Sequence, residues 1–256
     1  MKIESSVLVI VALGALAAGP GTASPVQAQD PNSTAHGSGG EDRAAGDRSA
    51  GEHDGHHHDA TATHSFADVE RWVEIFDDPQ RDAWQRPDEV VAFVGLTAGD
   101  TVADLGAGTG YFIVRLARAV GPGGHVFAVD TEPALVEHLR RRAAEHDLSQ
   151  VSVILAEPDD PKLPAGALDL ILIVDTWHHI DDRITYLETL RTTLAPNGRV
   201  AVVDFHEGEL PVGPPPGHKL SRDAVAGEFE EAGWILSSES RELPYQYLLV
   251  FRPPPS

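Results

Sequence analysis

From about residue 100 onward, short runs of consecutive apolar residues alternate with longer stretches in which apolar residues recur every three or four positions. The runs 102–105, 125–129, 151–155, 168–174 and 199–203 are apolar without alternation, the pattern of strands covered on both faces. The stretches 111–120, 133–146 and 184–194 have helical period, and Gly121-Pro122-Gly123-Gly124 and Ala195-Pro196-Asn197-Gly198 stop two of them. Such alternation predicts a parallel sheet with helices on both sides. A helix at 221–232 then precedes two more strands, 234–241 and 245–251. Only Glu242-Leu243-Pro244 separates them, too few residues for a crossover, so this pair is antiparallel. The expected fold is α/β: a mostly parallel seven-stranded sheet with an antiparallel last strand, flanked by helices.

Upstream, Phe66, Val69, Trp72, Val73 and Phe76 share one helical face. Asp78-Pro79 breaks that helix, Ala83-Trp84-Gln85 forms a short turn, and Pro87 opens a third helix whose Val90, Val91, Phe93 and Val94 can pack inward. These segments predict a helical cap over 66–96 on a domain spanning 66–256. Further upstream the pattern vanishes. Residues 29–65 are rich in Gly, Ser, Ala, Asp, Arg and His with almost no large apolar side chain, and are expected to be a disordered linker. Its His53, His56, His57, His58 and His64, interleaved with Asp54 and Asp59, are suited to weak, loose uptake of a divalent metal; no fixed metal site is expected. Residues 1–28 have the order of a secretory signal: Lys2, an apolar run over 7–18 too short to be a comfortable membrane span, then Val26-Gln27-Ala28. They predict an exported protein, with an uncleaved N-terminal membrane anchor as the alternative.

Charge and composition narrow the partners. A net charge of −21 repels polyphosphate, and the basic run Arg140-Arg141-Arg142 sits in a helical stretch with Glu137 and Glu145, so nucleic acid is not an expected partner. The chain has no cysteine, which excludes disulfides, thiolate nucleophiles and cysteine metal sites.

The candidate chemistry gathers where strands end. The strand 101–105 runs into Gly106-Ala107-Gly108-Thr109-Gly110, a turn that lets backbone N–H groups approach a ligand and aims the positive end of a helix dipole at an anionic group. The other strand ends carry Asp130, Glu157 to Asp160, Asp175 to His179, and Asp204 to His206. In parallel α/β sheets, ligands bind beyond the carboxyl ends of the strands, near the switch in strand order. The glycines are spaced G-x-G-x-G after an acid, Asp104, whereas a dinucleotide fold normally shows G-x-G-x-x-G. Asp130, twenty positions after Gly110, either accepts ribose hydroxyls or caps the helix that follows.

The run 104–110, then Asp130, Leu163-Pro164 and Leu194-Ala195-Pro196-Asn197-Gly198-Arg199, resembles the class I S-adenosylmethionine-dependent methyltransferases of the type 11, ubiquinone/menaquinone-like group. The stretches 84–87, 160–164, 175–183 and 211–218 look like a bacterial subgroup of exported methyltransferases. The resemblance implies a Rossmann-like class I fold and S-adenosylmethionine as cofactor. It further implies that Gly106, Gly108 and Gly110 cradle the methionine part of the cofactor, with Asp104 orienting the turn and the ammonium. Asp130 would hold the ribose, and Asp159 or Asp160 the adenine amino group, with Glu157 as a rival because Ala156-Glu157-Pro158 replaces the usual Gly-Asp. Asp175, at the end of the fourth strand, joins this cofactor set. The expected reaction is methyl transfer to a small molecule at an O, N or C centre. His178 and His179 are the candidate bases, with His178 favoured because the resemblance gives His179 a packing or loop-bonding role, and Trp177 or Tyr111 could face the sulfonium or simply pack. Asp204 and His206 are candidates for contact with substrate or a metal. The alternatives are a nicotinamide-dependent oxidoreductase, disfavoured by the glycine spacing and the terminal hairpin, and a non-catalytic exported binding protein.

Overall fold

The computed structural model describes residues 68–254. The signal segment 1–28, the 29–65 tract with its histidines, and Phe66 lie outside the described residues. Three helices come first: α1 (Val69–Phe76), α2 (Arg81–Gln85) and α3 (Pro87–Val94). The alternating core follows: β1 (Thr101–Leu105), α4 (Ile113–Val120), β2 (His125–Asp130), α5 (Pro133–Glu145), β3 (Val151–Leu155), β4 (Leu168–Val174), α6 (Arg183–Thr193) and β5 (Leu194–Phe205). The chain closes with α7 (Arg222–Glu231), β6 (Ile235–Ser240) and β7 (Gln246–Arg252). The seven strands form one sheet in the order β3-β2-β1-β4-β5-β7-β6. β1 to β5 pair in parallel, and β7 runs antiparallel to both β5 and β6. The predicted seven-stranded fold and its closing hairpin are therefore observed. The strand order reverses direction between β1 and β4, the crevice where such sheets bind ligands.

Alternation along the strands divides the core into two layers. Leu170, Leu172, Val102, Val126 and Val203 pack with Val90 and Val94 of α3 and Leu116 and Val120 of α4. Ile171, Ile173, Val200 and Val202 pack on the other side with Leu187 and Leu190 of α6 and Phe229 of α7. Among the described residues, no helix is long and apolar enough to cross a membrane.

Local differences from the predicted elements have local causes. Helix α4 begins at Ile113 rather than at residue 111, because Gly106, Gly108 and Gly110 all hold positive φ and keep the chain out of the helix until past Gly110. The expected turn at 195–198 is absorbed into β5, with a register shift opposite Leu168/Leu170. Two short 3-10 turns, Trp177–His179 and Pro216–His218, are not foreshadowed by the apolar pattern, since one turn is too short to show a period.

The cap is fastened to the sheet by Arg199. Its guanidinium donates to the carbonyls of Val94 (3.0 and 2.5 Å), Gly95 (3.0 Å) and Asp169 (3.1 Å). This satisfies the last carbonyls of α3 that the helix itself leaves without partners. Replacing it strands those acceptors, so Arg199→Ala is expected to cost about 1–3 kcal/mol in urea unfolding, with the secondary structure of the folded state unchanged by circular dichroism. A loss well below this range would show that water replaces the guanidinium at no cost.

Candidate active site

The glycine turn is built on β2. The N–H groups of Gly106 and Ala107 both donate to the Val129 carbonyl at 2.9 Å. Gly106 and Gly110 hold φ of +78° and +86°, and neither has space for a side chain. Gly106 lies against Thr176, which follows β4, and a Cβ on Gly110 would sit 2.9 Å from Leu139 of α5. The middle glycine, Gly108, donates its N–H to Asp130 Oδ2 at 2.8 Å, and the other oxygen of Asp130 accepts from Glu132 N–H at 2.9 Å. Asp130 is thus the brace between the turn and β2, with each oxygen keeping a further lone pair. The helix-cap role falls to Glu132, whose side chain accepts from Ala134 N–H.

Beyond β3, Ala156 donates its N–H to the Asp130 carbonyl at 2.9 Å, so Glu157 is the first residue to leave the sheet beside Asp130. Glu157 and Asp160 exchange backbone hydrogen bonds in a tight turn, and Lys162 pairs with Glu157 at 2.7 Å. Asp159 and Asp160 are exposed, and Asp160 accepts from Lys162 N–H at 2.8 Å.

After β4 the chain kinks at Asp175, which has φ +54°. Its carboxylate accepts from Gln246 of β7 and, at 3.3 Å, from Arg81 of α2. Arg81 also donates to the Phe76 carbonyl at 3.0 Å and to Gln85 at 3.1 and 3.2 Å, and lies 4.2 Å over the ring of Tyr111. Gln85 donates in turn to Gln246 at 2.6 Å, in a buried bond that joins cap and sheet. The residues Arg81, Gln85 and Gln246 escaped the sequence reading. The one signal was the spacing of Arg81 and Gln85, four apart on a helix with a buried partner.

The two histidines separate sharply. Nδ1 of His178 lies 2.9 and 2.8 Å from the two carboxylate oxygens of Asp204, one of which also accepts from Phe205 N–H at 2.8 Å. Burial pulls its basicity down, but the Asp204 charge, its hydrogen bond and Asp175 outweigh that and hold the imidazole above its ordinary range. His179, its ring 3.9 Å away, is pushed down to about 2 by burial and by the charges of His178 and His218, so it stays neutral. Trp177 is fully buried, donates to Glu228 and packs on Phe229, which makes it a core residue with no face for a ligand. The Tyr111 ring carries Arg81 and Arg115, and its hydroxyl donates to Asp82. Of the last candidates, Asp204 joins His178, while the His206 ring lies 5.9 Å from Tyr247. Among the described residues, no group of three His, Asp or Glu gathers as a metal site.

A model of the methyltransferase-domain family matches residues 96–244, more than half of the chain. The chain belongs to this family. It is 32% identical over 117 residues to the 2-phytyl-1,4-naphtoquinone methyltransferase of Trichormus variabilis, covering 45% of this chain and 51% of the relative. It is 29% identical over 119 residues to the aklanonic acid methyltransferase of a Streptomyces species, covering 46% and 54%. The chain therefore spans about half the length of these curated relatives. Among solved structures, an S-adenosylmethionine-dependent methyltransferase from Aquifex aeolicus superimposes with a TM-score of 0.69 at 28% identity, over 72% of this chain and 97% of that one.

The site of this methyltransferase-family chain fits the family's cofactor. S-adenosylmethionine carries a sulfonium and an ammonium, and the crevice at the strand switch is lined by carboxylates. Asp104 and Asp175 are each pushed up to about 7, mainly by burial, with Arg81 pulling against that. Their neighbours Asp130 and Asp204, respectively, add to the rise. Such carboxyls are short of positive charge, which a cationic ligand supplies.

This has a consequence for stability. Between the ordinary carboxyl range and pH 7, the folded protein keeps protons on these two groups that the unfolded chain has released. Their contribution to stability is complete below the unfolded value of 3.8 and is lost as pH rises through about 7. Without ligand, Asp104→Asn is expected to lose less stability than the native protein between about pH 5 and about pH 8. Chemical denaturation across that range checks it, and parallel curves would count against burial as the cause.

Proposed function

We propose that this chain transfers the methyl group of S-adenosylmethionine to a small-molecule acceptor. The observation that carries the reading is the bond from Gly108 N–H to Asp130, which fixes the G-x-G-x-G turn and the acid of β2 as one rigid surface beside buried Asp104. Family membership supports it, and both curated relatives are named for small organic molecules. When bound, the cofactor supplies an electrophilic methyl group, so the chain's own task is to hold two partners in line and to manage protons.

In this reading Gly106, Gly108 and Gly110 give a backbone surface without side chains, on which the methionine part lies. Asp104 faces its ammonium, and Asp130 uses its remaining lone pairs for the ribose hydroxyls. Glu157 is preferred to Asp159 and Asp160 for the adenine, because it is the first residue to leave the sheet next to Asp130. Asp175 contributes negative charge with Arg81 as its counter-ion, and Arg81 also holds the cap over the crevice. His178 is preferred to His179 as the base, since His179 is too weakly basic to take a proton near neutrality.

Calorimetry on the full chain tests the reading. S-adenosylmethionine is expected to bind more tightly as pH rises from about 6 to about 8, releasing protons near pH 7 as Asp104 and Asp175 ionise beside the cation. Asp130→Ala should weaken binding roughly 10- to 100-fold, the worth of hydrogen bonds to a charged group. Absence of heat with both S-adenosylmethionine and S-adenosylhomocysteine would overturn it.

A further inference from the structure

We propose, resting on the methyltransferase reading above, that Arg81 is a specificity-determining residue that senses the charge of the cofactor. Its guanidinium holds a cation site that the donor's sulfonium contests and the uncharged product does not. Because Arg81 belongs to α2, the fastening of the cap is tied to the presence of that charge.

The side chain sits in a cage suited to a soft cation. Its guanidinium lies 4.2 Å over the ring of Tyr111 and 5.8 Å from that of Trp84. Asp175 accepts from it at 3.3 Å, and its charge also bears on buried Asp104 of β1. Aromatic faces beside carboxylates recognise any weakly hydrated cation, a sulfonium as well as a guanidinium. The cage stands at the strand switch, since Tyr111 directly follows the glycine turn and Asp175 directly follows β4. Donor and guanidinium therefore draw on the same two acids. Arg115, the other guanidinium against Tyr111, is bound instead by Asp82 at 2.9 and 3.1 Å and by Asp88 at 3.2 Å, so Arg81 is the one that answers to the crevice acids.

The contacts of Arg81 are of two kinds. Those to the Phe76 carbonyl (3.0 Å) and to Gln85 (3.1 and 3.2 Å) stay within the cap. The contact to Asp175 reaches the sheet, and at 3.3 Å it is the longest of the four. With four N–H groups of the guanidinium engaged, it cannot offer a carboxylate the two parallel donors of a fork, so gripping the cofactor's own carboxylate is not its role. Asp175 also accepts from Gln246, so it can release the guanidinium and remain hydrogen-bonded.

Donor and product differ by one methyl group and one positive charge. A ligand shifts a conformational balance only by its difference in affinity for the two states, and here that difference is the charge. Beside the donor, two cations share the acids and the hold on Asp175 gives way. α2 then loosens, and with it Trp84, whose ring lies 5.7 Å from Phe205 and 6.4 Å from Tyr245. Beside the neutral product, Arg81 keeps Asp175 and the cap stays fastened.

The test compares three ligands on the full chain: S-adenosylmethionine, S-adenosylhomocysteine, and sinefungin, in which a protonated amine replaces the methyl sulfonium. Calorimetry gives the affinity of each charged ligand relative to S-adenosylhomocysteine. Arg81→Gln should raise that ratio about tenfold for both charged ligands, the effect of removing one like charge a few ångströms away, while Arg81→Lys, which keeps the charge, should stay within about twofold of native. A residue that only packs the cap, or that holds the carboxylate common to all three ligands, alters every affinity alike. An unchanged ratio in Arg81→Gln, or the same rise in Arg81→Lys, would therefore overturn the proposal. In hydrogen exchange read by mass spectrometry, the amides of residues 81–86 should exchange faster in native protein saturated with sinefungin than with S-adenosylhomocysteine, and Arg81→Gln should remove the difference. Equal or slower exchange with sinefungin in the native protein would also overturn it. Should Arg81→Gln not fold, the exchange comparison on native protein decides alone. Lack of binding by all three ligands would instead remove the methyltransferase reading itself.

Discussion

Four carboxylates, Asp130, Asp104, Asp175 and Asp204, sit buried or largely buried at the carboxyl ends of four adjacent strands, β2, β1, β4 and β5. Moving a carboxylate out of water is costly unless hydrogen bonds or an opposite charge replace the lost solvation. Each of the four meets that cost differently. Asp130 takes two backbone N–H groups, Asp204 takes His178 and a backbone N–H, and Asp175 takes Arg81 and Gln246. Asp104 has the nearby charge of Arg81 to set against its burial. The rim is thus built around a shortage of positive charge.

That shortage explains the cap. α2 is a helix of five residues, too short to hold itself by propensity. It is held because Arg81 is drawn to the acids and Gln85 completes a buried bond to Gln246. Tyr111 serves the same arrangement, with its ring under Arg81 and its hydroxyl on Asp82 of the same helix. Cap and crevice are consequently coupled: a ligand that brings its own positive charge to Asp104 and Asp175 competes with the guanidinium that fastens the cap. A cationic methyl donor is a natural partner for such a surface, and the chain's large negative charge supports its approach from a distance.

The same economy separates two histidines that are neighbours in the chain. His178 meets Asp204 and is kept basic, while His179, one residue on in the same 3-10 turn, has its basicity suppressed. The sequence already favoured His178, and the strand pairing that brings Asp204 beside the β4 end supplies the physical reason.

The sequence by itself determined the fold, because unbroken apolar strands and helical repeats dictate which faces must be buried, and because three residues cannot cross a sheet between the last two strands. It also determined the glycine turn and Asp130, which are close in the chain and whose spacing is itself the signal. What only the tertiary structure decided were pairings across large sequence separations. Arg81 with Asp175, Gln85 with Gln246, and His178 with Asp204 each join segments that no local pattern relates. The tertiary structure also chose between roles the residues left open, giving the helix cap to Glu132 and leaving Asp130 to brace the turn. Apolar periodicity reports burial along one element, but the protonation and partnership of a buried polar group depend on what the other elements bring to it.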